Sequence, residues 1–383
     1  MRVLIAPDCF TGTLTAGQAA QAVAAGWLRH APEDVVDLCP LSDGGPGFVE
    51  VLHQVLGGRL LAVTVTGPLG DPVPAGVLLV QDTDGVPTGY VETAQACGLH
   101  LVPAGRRDPR VTTTAGVAGL LEAARQAGAT RIVLGLGGSG TNDAGAGMLA
   151  ALAGDDLIAP VRERLIAGGG ALAGLTSSEL AGLTTVRQRW AGIDLVIASD
   201  VDSPLLGLQG ASAGFAEQKG ATPEQAQALE RCLADFAAAA LDALGQDRRA
   251  TSAAGAGAAG GLGFGLTLLG ARRVPGSQAV LDAVGISDRL RASDLVVTGE
   301  GRFDWQSLRG KVVAGVAREA LAVGTPVVVI AGQVQVGRRE ALAIGVESAY
   351  PVARTPQEVD AAIADPAGTL ADRAERVART WSR

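Results

Sequence analysis

Four short apolar runs in this chain end on an acidic residue: Val3 to Asp8, Leu38 to Asp43, Leu195 to Asp200 and Leu295 to Glu300. Runs of that length read as buried strands. Between several of them the period changes to that of an amphipathic helix. Ala19, Val23 and Trp27 follow a capping box at Thr15-Ala-Gly-Gln18, and Val117, Leu120, Leu121 and Ala124 precede the strand Arg131 to Leu136. A second strand is expected from Val35 to Leu41. Strand, helix, strand in this repetition builds a parallel sheet covered by helices.

In open parallel sheets, ligands bind beyond the carboxyl ends of the strands. An acid placed there can hold Mg²⁺, orient a hydroxyl or take its proton. Any one of them also fits a turn or a helix cap. Four of them, with Gly44-Gly45, Asp202, or Gly301 and Asp304 alongside, point to a shared site.

The pattern is interrupted. Leu61 to Thr66 and Ala75 to Val80 are strand-like and joined by Gly67-Pro-Leu-Gly70-Asp71-Pro72, the turn chemistry of a hairpin. Thr222-Pro223-Glu224-Gln225 starts a helix whose Leu229, Cys232, Leu233 and Phe236 share a face. Gly255 to Gly261, followed by Leu262 and Phe264, reads as a glycine-rich loop entering a buried helix. The βαβ pattern returns near residue 286, with strands Asp294 to Gly299, Pro326 to Ala331 and Glu347 to Val352. The expected architecture is α/β: a parallel-sheet domain of residues 1–62 and 286–383, interrupted by an inserted α/β domain of residues 63–285 with a mixed sheet.

Composition narrows the function. The net charge is −8 and no basic patch is visible, which argues against nucleic acid as a partner. No apolar run suits a membrane helix, and the first residues form a strand, not a signal peptide. Cys9, Cys39, Cys97 and Cys232 lack metal-ligand spacing, so reduced thiols and a cytoplasmic location are expected. His30, His53 and His100 are scattered and read as surface residues.

Two of the 31 basic Lys and Arg residues are lysines, Lys219 and Lys311. A chain can trade most lysines for arginine at little cost, except where a compact, mobile ammonium is needed. Accidental survival on the surface is the plainer alternative. Gly135-Leu-Gly137-Gly138-Ser139-Gly140 fits G-x-G-x-x-G, but the acid expected about twenty residues further on is missing, which argues against a nicotinamide cofactor. The longer string Gly137 to Asp143 offers backbone N–H groups for an anion, with Ser139, Thr141 and Asn142 as further donors. Asp143 fits a helix cap or a metal ligand. A tight strand-to-helix turn is the structural alternative. No Walker A loop is present, because Trp305 stands where its first glycine would be.

Taken together, IAPD near the start, SDGG, VTGPLGDPV, GGSGTND, SDVDSPLLG, EQKGATPEQ, GAGAAGGLGFG and TGEGRFDWQSLRGK resemble the bacterial glycerate kinases of the glycerate 2-kinase type, in that family's order. The resemblance implies a Rossmann-like domain interrupted by an inserted domain. It also implies transfer of the γ-phosphate of ATP, with Mg²⁺, to a hydroxyl of glycerate or a close small hydroxy acid. Phosphoryl transfer needs positioning and electrostatics more than covalent chemistry, which suits these residues.

On that reading Asp200 is the base or hydroxyl-orienting acid, and Lys219 neutralises the transferring phosphoryl group. Asp43 and Asp8 lie near substrate or metal, and Asp200 and Glu300 are the metal-ligand candidates. Gly44, Gly45, Gly137, Gly138, Ser139, Thr141, Asn142, Asp202, Gly257 and Gly260 line the phosphate and substrate cleft. Glu300, Arg302, Asp304 and Lys311 form a further wall. Two residues depart from the family's pattern. Thr11 stands where the family has a loop lysine, and Pro46 where it has a glutamate. Paired loss of opposite charges fits a retuned substrate. The alternative is a non-catalytic or respecialised small-acid or nucleotide-binding paralogue on the same scaffold.

Overall fold

A computed structural model describes residues 1–81 and 84–382. The chain forms two compact units, one of Met1–Asp43, Glu50–Gly57 and Pro275–Arg383, the other of Gly44–Val49 and Gly58–Val274. Arg383, the last residue of the segment expected to complete the first domain, lies outside the described residues.

The first unit is built on a five-stranded, all-parallel sheet. Its order is Val346–Pro351, Val327–Ala331, Leu295–Thr298, Arg2–Ile5 and Val35–Leu38. The central strands Leu295–Thr298 and Val327–Ala331 are buried at every residue. Their near-continuous apolar sequence is what a sheet covered on both faces requires. Expected to reach Leu41, the second strand ends at Leu38; beyond it only single bonds continue, Cys39 N–H to Ile5 O at 2.9 Å and Leu41 N–H to Pro7 O at 2.9 Å. Arg302–Phe303 and Gln333–Val334 add a small parallel pair.

One core cluster of this unit joins Val3, Ile5, Val23 and Trp27 to Leu370, Ala374 and Val377. Helix Ala16–His30 starts at the Thr15 capping box, in which Gln18 N–H donates to Thr15 Oγ1 at 3.2 Å. It packs on helix Pro366–Trp381 through Gly26. A Cβ at that position would lie 1.9 Å from the carbonyl oxygen of Ala371.

The second unit carries a six-stranded mixed sheet in the order Arg59–Thr66, Pro72–Gln81, Pro87–Glu92, Arg131–Gly135, Asp194–Ala198 and Arg272–Val274. The first two strands are the hairpin, in register from Arg59 opposite Leu79 to Thr66 opposite Pro72. From Pro87–Glu92 onward every pairing is parallel. Helix Pro223–Leu244 starts at its own capping box, with Thr222 and Gln225 bonded reciprocally. Its Leu229, Leu233 and Phe236 are fully buried.

Gly26→Val should remove the close contact between the two helices of the first unit. Overpacking of this kind costs about 1–3 kcal/mol. A urea titration should show a lower midpoint with an unchanged slope.

Candidate functional site

Three adjacent strands of the first unit, Leu295–Thr298, Arg2–Ile5 and Val35–Leu38, are followed by Glu300, Asp8 and Asp43. Parallel pairing therefore brings three of the four acids to one edge of one sheet; the fourth, Asp200, follows a strand of the second unit's sheet. Asp8 is anchored by its own loop: its N–H donates to Gly299 O at 2.8 Å, and Cys9 N–H donates to its Oδ1 at 2.6 Å. Burial, and then the charge of Asp43, push the Asp8 carboxyl up to about 7, with Glu300 adding to the effect. Burial also pushes Glu300 up to about 7, against the opposing pull of the Ser307 hydroxyl and Lys311; Asp304 and Asp43 push it further up. Glu300 Oε1 is buried and has no hydrogen-bond partner. A hard oxygen left unpaired among carboxylates that repel one another is the donor chemistry Mg²⁺ takes, and Mg²⁺ commonly uses only one or two carboxylates besides phosphate. Among the described residues, no three His, Cys, Asp or Glu side chains form a ready metal cage.

The loop after Glu300 is tightly folded. Asp304 Oδ1 accepts from Gln306 N–H at 2.8 Å, and Asp304 N–H donates to Ser307 Oγ at 3.1 Å. Arg302 is exposed, and Lys311 stands at the start of helix Val312–Val323, where Gly310 O accepts from Ser277 Oγ at 2.7 Å. The first loop turns at Thr11-Gly12, closed by Phe10 N–H to Leu14 O at 2.9 Å. Thr11 is exposed there, its hydroxyl 4.0 Å from Cys9 Sγ.

In the second unit, the glycine string follows strand Arg131–Gly135. Its glycines meet protein. A Cβ on Gly137 would lie 2.4 Å from Gly45 Cα, and Gly137 N–H donates to Gly44 O at 3.1 Å. A Cβ on Gly260 would lie 1.9 Å from Thr141 O. The segments at 44–45, 137–141 and 257–261 are thus pressed together backbone on backbone. Gly257 donates to Ser203 O at 2.9 Å. Two alanines take left-handed backbone conformations at this contact, Ala144 at φ 54° and Ala259 at φ 53°. Such conformations cost about 1–2 kcal/mol per non-glycine residue and gather at functional sites. Ala144 N–H donates to Gly260 O at 3.0 Å, so the two turns support each other.

Lys219 is not on the surface. It is buried, and its Nζ donates to Thr141 O at 2.7 Å and Ser139 Oγ at 3.1 Å. Burial pulls the ammonium down to about 8, against the opposing pull of Cys97 and Asp143. Asp143 itself is fully enclosed. It accepts from the N–H and the hydroxyl of Thr114 and from the N–H groups of Gly145 and Gly147, which makes it a cap and not an open metal ligand. Asn142 donates from Nδ2 to Ser212 Oγ at 3.0 Å; its Oδ1 and the Thr141 hydroxyl are buried without partners. Asp200 follows strand Asp194–Ala198. Exposed Asp202 pairs with Arg273 Nη2 at 2.6 Å, so its carboxylate is already neutralised.

Several contributors escaped the sequence reading. Ser307 lies against Glu300, Ser212 fixes Asn142, and Glu92 Oε2 accepts from Gly47 N–H at 3.0 Å and Val49 N–H at 3.4 Å. Glu92 ends strand Pro87–Glu92, so the rule that found the four acids would also have found it. Ser212 lies 70 residues from its partner and carries no local signal.

An open parallel sheet with carboxylates at adjacent strand ends, and a second α/β unit with interlocked glycine turns and a buried lysine, are the features of a ligand-binding α/β protein. The chain belongs to the glycerate kinase family, whose sequence profile it matches over residues 3–382. It is 41% identical over 353 residues to the glycerate kinase of Bacillus subtilis (strain 168), covering 92% of this chain and 90% of that one. It is 40% identical over 333 residues to the glycerate 2-kinase of Escherichia coli (strain K12), covering 87% and 85%. The crystal structure of a candidate glycerate kinase 2 from Salmonella typhimurium LT2 superposes with a TM-score of 0.80 at 36% identity, over 100% of this chain and 98% of that one. No helix among the described residues is long and apolar enough to cross a membrane.

The raised carboxyls have a consequence for stability. An unfolded Asp or Glu binds its proton near pH 4, so between pH 4 and 7 the folded chain holds more protons at Asp8 and Glu300 than the unfolded chain does. Their contribution is fully present below the unfolded values and is lost as pH rises towards 7. Asp8→Asn should flatten that fall, as read from urea midpoints at pH 5 and pH 8.

Proposed function

We propose that the chain catalyses ATP-dependent phosphorylation of a hydroxyl of glycerate, giving phosphoglycerate and ADP. The observation that carries the reading is the row of acids Glu300, Asp8 and Asp43 behind three adjacent parallel strands, in a chain of the glycerate kinase family. In the reaction a glycerate oxygen bonds to the γ-phosphorus as the bond to the β,γ-bridging oxygen breaks. The hydroxyl proton passes to a carboxylate. Asp200 is the residue assigned to take it; Asp43 and Asp8 orient the substrate hydroxyl.

Glu300, whose Oε1 is unpaired, is the carboxylate of the first unit that would hold Mg²⁺, with phosphate oxygens completing its coordination; Asp200 is the metal-ligand candidate of the second unit. The ion, when bound, would neutralise charge on the phosphate oxygens. Lys219 acts from beneath the glycine turn. Its ammonium fixes Thr141 O and Ser139 Oγ, and so keeps a positive charge beneath a turn that, with Gly137, Gly138 and Asn142, would line the phosphate path. Gly44, Gly45, Gly257 and Gly260 shape that turn by packing against it. Arg302, Asp304 and Lys311 contribute from the loop after Glu300, and Thr11 faces the acid part of the substrate. A cytoplasmic enzyme is the natural setting for this ATP-dependent chemistry.

The test is ADP release with Mg²⁺ and D-glycerate, L-glycerate, tartronate or other small hydroxy acids. The unaltered protein should turn over glycerate, and Asp200→Asn should lower kcat by about 10²–10⁴-fold, the range for a lost general base. No acid-dependent ADP formation would sink the kinase reading. Turnover of glycerate only in the Thr11→Lys, Pro46→Glu double variant would show that this chain uses a different acid.

Lys219 adds a pH signature. Its proton is lost as pH rises through about 8, so kcat/KM should fall on the alkaline side with a midpoint near there. Lys219→Met should leave a low, flat profile over the same range.

A further inference from the structure

The chain has four tryptophans, and three are accounted for by packing. Trp27 and Trp190 are fully buried, and half-buried Trp381 donates to the Tyr350 hydroxyl at 3.1 Å. Trp305 is 59% exposed, the one aromatic among the exposed large hydrophobic side chains of the described residues. An exposed indole in a chain with 3% aromatic residues calls for a reason.

Its surroundings supply one. Trp305 sits in the loop from Glu300 to Lys311, between Asp304 and exposed Gln306. Asp304 and Lys311, near the two ends of this loop, both act on the Glu300 carboxyl, so the base of the loop lies at the acid row. The loop is pinned by Ser307 N–H to Asp304 O at 3.1 Å and Arg309 N–H to Gln306 O at 3.0 Å. The Arg309 guanidinium stands over the indole, 5.0 Å from the ring centroid. That contact holds the ring by cation–π attraction and places a cation beside it.

A lone aromatic ring between Asp304 and Gln306, with the Arg309 guanidinium over it, is not the contiguous apolar patch that docks a folded protein. A flat ring with a cation beside it matches a ligand that is itself part aromatic and part polyanionic. We propose that Trp305 is the stacking platform for the nucleobase of the phosphoryl donor, with Arg309 bracing the indole. This inference rests on the reading of the chain as a nucleotide-dependent kinase, and it names the residue that would read the base.

Calorimetry with ADP and with inorganic tripolyphosphate separates base recognition from phosphate recognition. Trp305→Ala should weaken ADP binding about tenfold or more, in the range of base–aromatic stacking, and leave tripolyphosphate affinity within twofold. Trp305→Phe should restore most of the ADP affinity. An ADP affinity that falls less than threefold in Trp305→Ala overturns the proposal, as does an equal loss for tripolyphosphate or a failure of the unaltered protein to bind ADP more tightly than tripolyphosphate. The kinase reading fails separately, on absence of acid-dependent ADP release by the unaltered protein, whatever the ratio of the two affinities.

Discussion

Burial of carboxylates beside one another at neighbouring strand ends is the constraint around which the first unit is arranged. Parallel strands lie about 5 Å apart, so acids that follow three consecutive strands cannot avoid one another's fields. Burial, reinforced by the charges of neighbouring carboxylates, makes Asp8 and Glu300 hold their protons to about pH 7. The cost is borne by the sheet beneath them, where Val296, Val297, Val328 and Val329 are essentially inaccessible to water. A stable apolar scaffold that carries an electrostatically strained edge is the usual bargain at a binding site.

The second unit solves a different problem. It holds an ammonium in the interior with a carbonyl and a hydroxyl as its hydrogen-bond partners. Such a group is costly to bury, and its position is correspondingly well defined. Arginine would not substitute, because its planar fork cannot donate from one point to Thr141 O and Ser139 Oγ in the same space. That is a physical reason for one of two lysines to persist in a chain so biased to arginine.

Much of the fold was legible in local pattern. The acids stood at the ends of short apolar runs, and the Thr15 capping box and the helix start at Thr222 formed where their residues announced them. What stayed hidden was tertiary. Nothing in Glu217-Gln-Lys219-Gly220 indicates that the lysine turns inward, since the groups that receive it lie 78 and 80 residues away. Gly137 and Gly260 stand among the residues expected to line a phosphate cleft; in the fold their missing side chains admit the backbones of Gly45 and Thr141. Absence of a side chain reports close approach without saying what approaches. Asp143 shows the same limit, because a buried cap and an open metal ligand look alike in one dimension.

The interlocked left-handed turns at Ala144 and Ala259 have a kinetic side. Neither turn is favourable alone, and each is held by a partner more than a hundred residues distant along the chain. Contacts of that separation form only after the intervening loop has closed. These interlocked turns would then be among the last parts of this unit to become ordered, and a nascent chain would acquire its core before it acquired them.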